Sequence, residues 1–168
     1  MKPWILAGVA LLASCGGSGE APHDPPGAGD FTGLQWVDGA PDLGGRVRLV
    51  RWWTHPCALC SGSAPALARL AVKAPLVAVF RPEPGLPVTV DEVRERAHRV
   101  GMPGILAIDR EGAVLDRWAP PASRTEVSLT FLLDAHGRAR YIHPGGLLGP
   151  EDEDHLAQRI DALLAEKN

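Results

Sequence analysis

Short apolar runs separated by polar segments predict most of the strands of this chain. The runs over 46–53, 76–80 and 105–108 are rich in branched and aromatic residues, and the last two contain no polar residue. Wholly apolar runs are typical of strands that are covered on both faces of a sheet. Two more runs, 127–134 and 138–143, flank a short turn that contains glycine, and this arrangement predicts a β-hairpin.

Helical periodicity occupies the intervals between these runs. It extends over 57–73, where Pro65 is expected to kink the helix, and over 151–165, which opens with four acidic residues. A third helix is predicted over 89–100, because its opening Thr-x-x-Glu has the spacing of a capping box. The positions expected to face the core are Leu59, Leu67, Leu70, Leu156, Ile160, Leu163 and Leu164. The order β-α-β-α-β, hairpin, helix predicts an α/β sandwich with a central mixed β-sheet.

The first residues have the features of an export signal. A lysine precedes an apolar run that is too short to span a bilayer, and the run ends in Leu-Ala-Ser-Cys15. This ending resembles the lipobox of bacterial lipoproteins, which implies a signal peptide over 1–14 and lipid on Cys15. An ordinary secretory signal is the alternative. Residues 15–30 are dominated by glycine and proline and predict a flexible tether, which leaves 31–168 as one domain.

Composition limits the function further. The 168 residues include 45% hydrophobic and 22% charged residues, which is typical of a globular protein with one core. The formal net charge is −3 and no basic stripe occurs, so nucleic acid is not an expected partner. We expect a monomer in the periplasm or cell envelope, a compartment in which disulfides form and persist.

The remaining two cysteines, Cys57 and Cys60, form a Cys-x-x-Cys pair between a predicted strand and a predicted helix. At a helix N-terminus, unpaired amide groups and the helix dipole stabilise a thiolate, and the pKa of such cysteines falls to about 3.5–7.5. A thiolate is the nucleophile of disulfide exchange. We therefore expect Cys57 to attack and Cys60 to resolve the mixed disulfide.

The motif and its surroundings resemble the thioredoxin-like proteins, specifically membrane-anchored thiol–disulfide oxidoreductases of the TlpA/ResA type. The resemblance rests on VRWWTHPCALCSGSAP, including Pro65 five residues after Cys60, and on the hairpin FLLDAHGRARYIHPGG. It implies a thioredoxin-like three-layer sandwich that exchanges disulfides with protein thiols or disulfides, with no cofactor and no bound metal. It also implies a membrane redox partner and, as one substrate class, apocytochrome thiols.

Two positions depart from that family. Ser128 stands where the family has a cis-proline packed against the cysteines, which the resemblance implies shapes the substrate groove and keeps metals away. We expect Ser128 to reach the thiols. Arg51 stands six residues before Cys57, where thioredoxins often carry a buried acid. A cation there favours a thiolate and, if buried, needs a partner, for which we predict Glu126.

The expected partner-binding surface consists of Pro56, Trp53 and the segment Val127–Ser128. His55 is either a cation that lowers the pKa of Cys57 or a side chain at the rim of the site.

The residues leave other functions of the cysteine pair open. A structural disulfide would close a very short loop and stabilise little, and zinc would need two more ligands. Copper delivery of the Sco type and a thiol peroxidase both occur on this fold. The Sco proteins, however, have one more residue between their cysteines and a histidine where this chain has Glu126.

Overall fold

Strand β2 forms the centre of a six-stranded sheet, and all six of its residues, RLVRWW, are buried. In the computed structural model, which describes residues 28–119, 121–124 and 128–166, the strand order is β1-β4-β3-β2-β5-β6. Strands β2, β3 and β4 run parallel, whereas β1, β5 and β6 pair antiparallel with their neighbours. The strands are β1 (Gln35–Trp36), β2 (Arg48–Trp53), β3 (Leu76–Phe80), β4 (Ile105–Ile108), β5 (Leu129–Leu133) and β6 (Ala139–His143).

The helices cover both faces of this sheet. They are α1 (Ala58–Lys73), α2 (Val90–Val100), α3 (Ala113–Trp118) and α4 (Pro150–Ala165), with a 3₁₀ turn at Pro121–Ser123. Helix α2 begins at the predicted capping box, in which Thr89 Oγ1 accepts from the Glu92 backbone N–H at 3.2 Å and the Glu92 carboxylate accepts from the Thr89 N–H at 2.7 Å. None of the helices in the described ranges is long and apolar enough to cross a membrane.

Alternation along β2 divides the core into two layers. Leu49 and Trp53 pack with α1, α2 and α4, whereas Val50 and Trp52 pack with α3 on the opposite face. The second layer is aromatic: the Trp52 ring meets the ring of Trp118 edge-on, with centroids 5.0 Å apart. This arrangement confirms the predicted α/β sandwich with a central mixed sheet.

Several local expectations need correction. Leu59 and Leu164 are 41% and 55% exposed, and each lies in a terminal turn of its helix. Pro65 lies within α1 as expected, and the kink expected there stays a prediction. Helix α3 was not predicted; it is short, and its start is held by Asp109, whose carboxylate accepts from the backbone N–H of Val114 and Leu115.

The expected signal peptide over 1–14 and Cys15 lie outside the described residues, and so does most of the tether predicted over 15–30. The division at residue 30 therefore stays a prediction.

Candidate active site

The Cys57–Cys60 pair lies where the central strand passes into α1. Strand β2 ends at Trp53, and α1 begins at Ala58 with Cys57 as its N-cap residue in an extended conformation. The two sulfurs form a disulfide with an S–S distance of 2.06 Å. Cys57 Sγ also accepts from the backbone N–H of Cys60 at 3.1 Å, as the side-chain oxygen of a serine or aspartate cap would.

The two cysteines differ in accessibility. Cys57 is 8% exposed, whereas Cys60 is completely buried among the side chains that α1 directs at the sheet. An external sulfur can therefore approach Cys57 and not Cys60. At this helix end the free N–H groups and the dipole would stabilise negative charge on Cys57 Sγ after reduction.

The surface next to Cys57 is partly apolar. Pro56 is exposed, follows a cis peptide bond, and is flanked by the half-buried His55. Leu59 also presents its side chain to solvent in the first turn of α1. A groove of about 240 Å³ begins at His55 and is lined further by Phe80, Pro82, Glu83, Leu86, Pro87, Val88 and Arg96.

Trp53 does not belong to this surface, contrary to the sequence-based expectation. Its side chain is fully buried and its ring meets the ring of Phe80 edge-on, with centroids 4.8 Å apart. The reason is its place on β2, because the face that carries Trp53 is covered by α1 and α2. Ser128 is also fully buried, and Val127 lies outside the described residues.

Arg51 is completely buried in the middle of β2, and its guanidinium is held by three neutral oxygens. Nη1 donates to Thr130 Oγ1 at 2.8 Å, and Nη2 donates to Ser128 Oγ at 2.9 Å and to the Gly146 carbonyl at 3.0 Å. Burial lowers the pKa of Arg51 to about 10, so the group stays protonated at neutral pH. Arg51 forms no ion pair within the described part of the chain.

The predicted carboxylate partner of Arg51, Glu126, lies outside the described residues, so that pairing stays a prediction. Ser128 was expected to reach the thiols. Its hydroxyl accepts from Arg51 and, at 3.5 Å, from the backbone N–H of Gly146, and a contact with the thiols stays a prediction. The side chain at the position of the expected cis-proline is thus part of the Arg51 hydrogen-bond group.

No protein-family model matches this sequence, and no curated protein matches it either. Solved structures do match. A candidate protein disulfide isomerase from Bacteroides thetaiotaomicron is 21% identical, with a TM-score of 0.63 over 79% of this chain and 85% of that one. A candidate thioredoxin from Neisseria meningitidis is 23% identical, with a TM-score of 0.59 over 76% and 80%.

A third match is a secreted disulfide oxidoreductase from Mycobacterium tuberculosis, described as homologous to Escherichia coli DsbE. It is 19% identical, with a TM-score of 0.57 over 77% of this chain and 94% of that one. The fold is thioredoxin-like. Identities this low establish the fold, and the activity has to be argued from the site itself.

Within this thioredoxin-like fold, the segment that follows the hairpin contacts α1 close to the cysteine pair in sequence. Residues 144–149 connect β6 to α4, and the backbone N–H of Leu148 donates to Ser63 Oγ at 2.9 Å, one turn after Cys60 in α1. A Cβ placed on Gly62 would come within 2.7 Å of Leu147 Cδ1, so glycine permits this close approach. The glycines at 145–146 after His143 were the available sequence signal.

His143 ends β6 on the same side of the sheet. Its Nε2 lies 3.2 Å from Asp152 Oδ1 at the start of α4. Among the described residues, no cluster of three or more His, Cys, Asp or Glu side chains is arranged to hold a metal ion.

Proposed function

We propose that this protein exchanges disulfides with protein substrates outside the cytoplasm through Cys57 and Cys60. The observation that carries the proposal is the N-cap position of Cys57, whose sulfur accepts the Cys60 N–H and is the accessible one of the pair. A sulfur in this position has the electrostatic support that an attacking thiolate needs. The thioredoxin-like fold is compatible with this chemistry.

In the reducing direction, the Cys57 thiolate attacks one sulfur of a substrate disulfide, and the other substrate sulfur leaves as a thiolate that takes a proton from water. Cys60 then attacks Cys57 Sγ, which restores the internal disulfide and releases the second substrate sulfur. The substrate gains two electrons and the cysteine pair loses two. In the oxidising direction the same bonds form and break in reverse order.

We further propose that the protein is a TlpA/ResA-type lipoprotein, anchored by lipid on Cys15 and supplied with electrons by a membrane redox partner. The apolar N-terminal run and the glycine- and proline-rich segment after Cys15 support the anchor. The secreted disulfide oxidoreductase among the similar structures supports a location in the periplasm or cell envelope. Replacing Cys15 with serine is expected to release the protein from the membrane fraction, and unchanged membrane association of that variant would contradict the anchor.

The partner-binding surface is assigned to the exposed residues around Cys57. Pro56 and Leu59 are exposed and lie next to the cysteines in sequence, and His55 lines a groove of about 240 Å³. Val127 stays in this proposal on the strength of its place next to Ser128 in sequence. A monomer suffices, because both cysteines come from one chain.

The test uses the full chain with Cys15→Ser, so that only the pair can react, and insulin as the disulfide substrate. The parent is expected to accelerate insulin reduction by dithiothreitol. Cys60→Ser is expected to accumulate a covalent adduct with insulin, because Cys57 attacks and nothing resolves the bond. Cys57→Ser is the matched control and is expected to give at least tenfold less adduct, since Cys60 is buried.

Two results would overturn the proposal. One is insulin reduction that is no faster with the parent than without it. The other is equal adduct formation by both serine variants, which would remove the distinction between attacking and resolving thiols. Tight Cu(I) binding by an inactive parent would favour copper delivery, and rapid peroxide consumption by an inactive parent would favour a thiol peroxidase.

A further inference from the structure

Arg51 and Cys60 face the same layer of the core. Leu49 and Trp53, the neighbours of Arg51 at alternate positions of β2, belong to the apolar cluster that contains Cys57 and Cys60. Side chains alternate between the faces of a strand. The Arg51 side chain therefore extends into the layer between the sheet and α1, on the side where the cysteine pair lies.

The hydrogen bonds of Arg51 place its guanidinium inside this layer. Thr130 is its direct cross-strand neighbour on β5, and Gly146 belongs to the 144–149 segment. That segment in turn bonds to Ser63 in α1, three residues after Cys60. The cation is thus held between β2, β5 and the 144–149 segment, and that segment is bonded to α1 near Cys60.

No described carboxylate neutralises this cation. The polar groups that bind it are two hydroxyls and one carbonyl. Two titratable groups lie beyond Thr130 on the same side of the sheet. His143 is the cross-strand neighbour of Thr130 on β6, and Asp152 of α4 lies beside His143. The Asp152 carboxylate is already engaged by His143 and by the backbone N–H of Gly149 at 2.9 Å.

The titratable groups nearest to Cys60 along the chain are Cys57, at the N-cap of α1, and His55 before it. Within the described residues, none of the hydrogen bonds of Cys60 comes from an acidic or basic side chain. A buried thiol in apolar surroundings resists ionisation, because burial disfavours the charged form. Cys60 must nevertheless lose its proton before it can resolve a mixed disulfide.

We propose that Arg51 is a positioning residue for disulfide exchange, a buried cation that stabilises the Cys60 thiolate so that Cys60 resolves the mixed disulfide without a general base. This inference rests on the proposed function. In the step concerned, Cys60 gives its proton to water and its thiolate attacks Cys57 Sγ. The Cys57–Cys60 bond forms, and the bond from Cys57 to the substrate breaks with its electron pair on the substrate sulfur.

Among the described residues no carboxylate is paired with Arg51, and this gives the cation its effect. A cation that is neutralised by a nearby carboxylate exerts little net field on a neighbouring thiol. Within the described ranges Arg51 binds neutral oxygens only, so its charge remains available to a thiolate in the same core layer. Once Cys60 ionises, the thiolate and Arg51 become a compensated pair, whereas in the disulfide state the cation relies on hydrogen bonds alone.

The test measures the pKa of Cys60 from the ultraviolet absorbance of its thiolate, in the full chain with Cys15→Ser and Cys57→Ser. We expect a value below the ordinary cysteine pKa of about 8.5. Arg51→Met removes the charge and is expected to raise the pKa of Cys60 by at least about one pH unit. Arg51→Lys keeps a charge and is expected to retain most of the lowering, which a purely structural role of Arg51 would not produce.

Arg48→Met is the matched control, because Arg48 is the other buried arginine of β2 and lies on the opposite face of the sheet. It is expected to leave the pKa of Cys60 unchanged. In the full chain with Cys15→Ser only, and at a pH above the Cys60 pKa of both proteins, Arg51→Met is expected to shift the equilibrium with glutathione about tenfold toward the disulfide, which corresponds to a reduction potential lower by about 30 mV.

An Arg51→Met variant that folds with an unchanged Cys60 pKa overturns the inference. If that variant does not fold, the parent decides, since a Cys60 pKa at or above about 8.5 in the presence of Arg51 also overturns it. The readout is independent of exchange activity. A lowered Cys60 pKa in a protein that cannot reduce insulin would therefore refute the proposed function and keep the electrostatic effect of Arg51.

Discussion

Two buried arginines lie three residues apart on β2, and their surroundings differ in kind. Arg48 donates to the carbonyls of Leu43 and Arg46, at 2.7 and 3.1 Å, at the end of the strand remote from the cysteines. The pKa of Arg48 is lowered by burial, and the negative charge of Asp134 opposes that effect. The pKa of Arg51 is lowered by burial, and its partners among the described residues are neutral oxygens.

This contrast shows that burial of an arginine does not by itself define its role. Arg48 ties the chain before β2 to the strand and lies 5.6 Å from the centre of the Phe31 ring, so its surroundings are those of a structural residue. Arg51 shares a core layer with a disulfide, and no described carboxylate is paired with it. The first arrangement indicates a contribution to stability alone, and the second indicates a contribution to the chemistry as well.

The largest expected loss of stability is that of Arg48→Met, and this variant tests whether the two arginines have different roles. Arg48→Met is expected to lower the free energy of unfolding by about 3 kcal/mol, because the buried Leu43 carbonyl and the partly buried Arg46 carbonyl lose their donor. Chemical denaturation followed by circular dichroism measures this loss. The reduction potential of the cysteine pair should stay at the parent value; a shift as large as that of Arg51→Met would break the contrast between the two arginines.

Asp134 gives the next largest effect, through the turn that adjoins Arg48. Burial raises the pKa of this carboxyl, but hydrogen bonds from the Arg138 backbone and side chain and from the His136 backbone outweigh it and leave the pKa below its ordinary value. Asp134→Asn is expected to cost about 2 kcal/mol at neutral pH.

The sign of the pH dependence follows from that lowered pKa. The stability that the Asp134 carboxylate contributes is fully present above its unfolded-state pKa of about 4 and is lost as the pH falls through the lower folded-state value. The difference in the free energy of unfolding between the parent and Asp134→Asn should therefore be present at neutral pH and shrink at acidic pH, as measured by denaturation curves at both. Curves that stay equally far apart at acidic pH would contradict this account.

The smallest effect is expected at Thr130, which holds one of the three acceptors of Arg51. Thr130→Val keeps the shape and removes one hydrogen bond, at a cost of about 1 kcal/mol. The charge of Arg51 remains, so the pKa of Cys60 should stay within a few tenths of a pH unit of the parent, as an order-of-magnitude expectation. A rise as large as that from Arg51→Met would mean that hydrogen-bond geometry, rather than charge, controls Cys60.

Much of the fold was predictable because its elements have local signatures. The strands over 76–80 and 105–108 have the predicted boundaries, and α2 begins at its capping box. Strand β1 and helix α3 were missed because two and six residues carry too little periodicity to detect. Periodicity placed Leu59 and Leu164 in the core, but it cannot tell whether a residue in a terminal turn is covered by another element.

In the candidate site, too, the features that are local in sequence were predictable and the others were not. The Cys-x-x-Cys spacing and its place before a helix were evident from the residues, and the N-cap geometry of Cys57 agrees with them. The burial of Trp53 was not evident, because an aromatic residue at the end of a strand fits either a surface or a core. The contact of the 144–149 segment with α1 joins residues that are 85 positions apart, and no local pattern encodes it.

By itself, the sequence determined the alternation of elements, the position of the cysteine pair and the unusual arginine six residues before it, since each depends on neighbours along the chain. Only the tertiary structure decided what surrounds that arginine. Arg51 and Thr130 are 79 residues apart, and they meet because strand pairing sets β5 beside β2 in one register. The electrostatic setting of a buried charge depends on such distant partners, and therefore on how the whole chain packs.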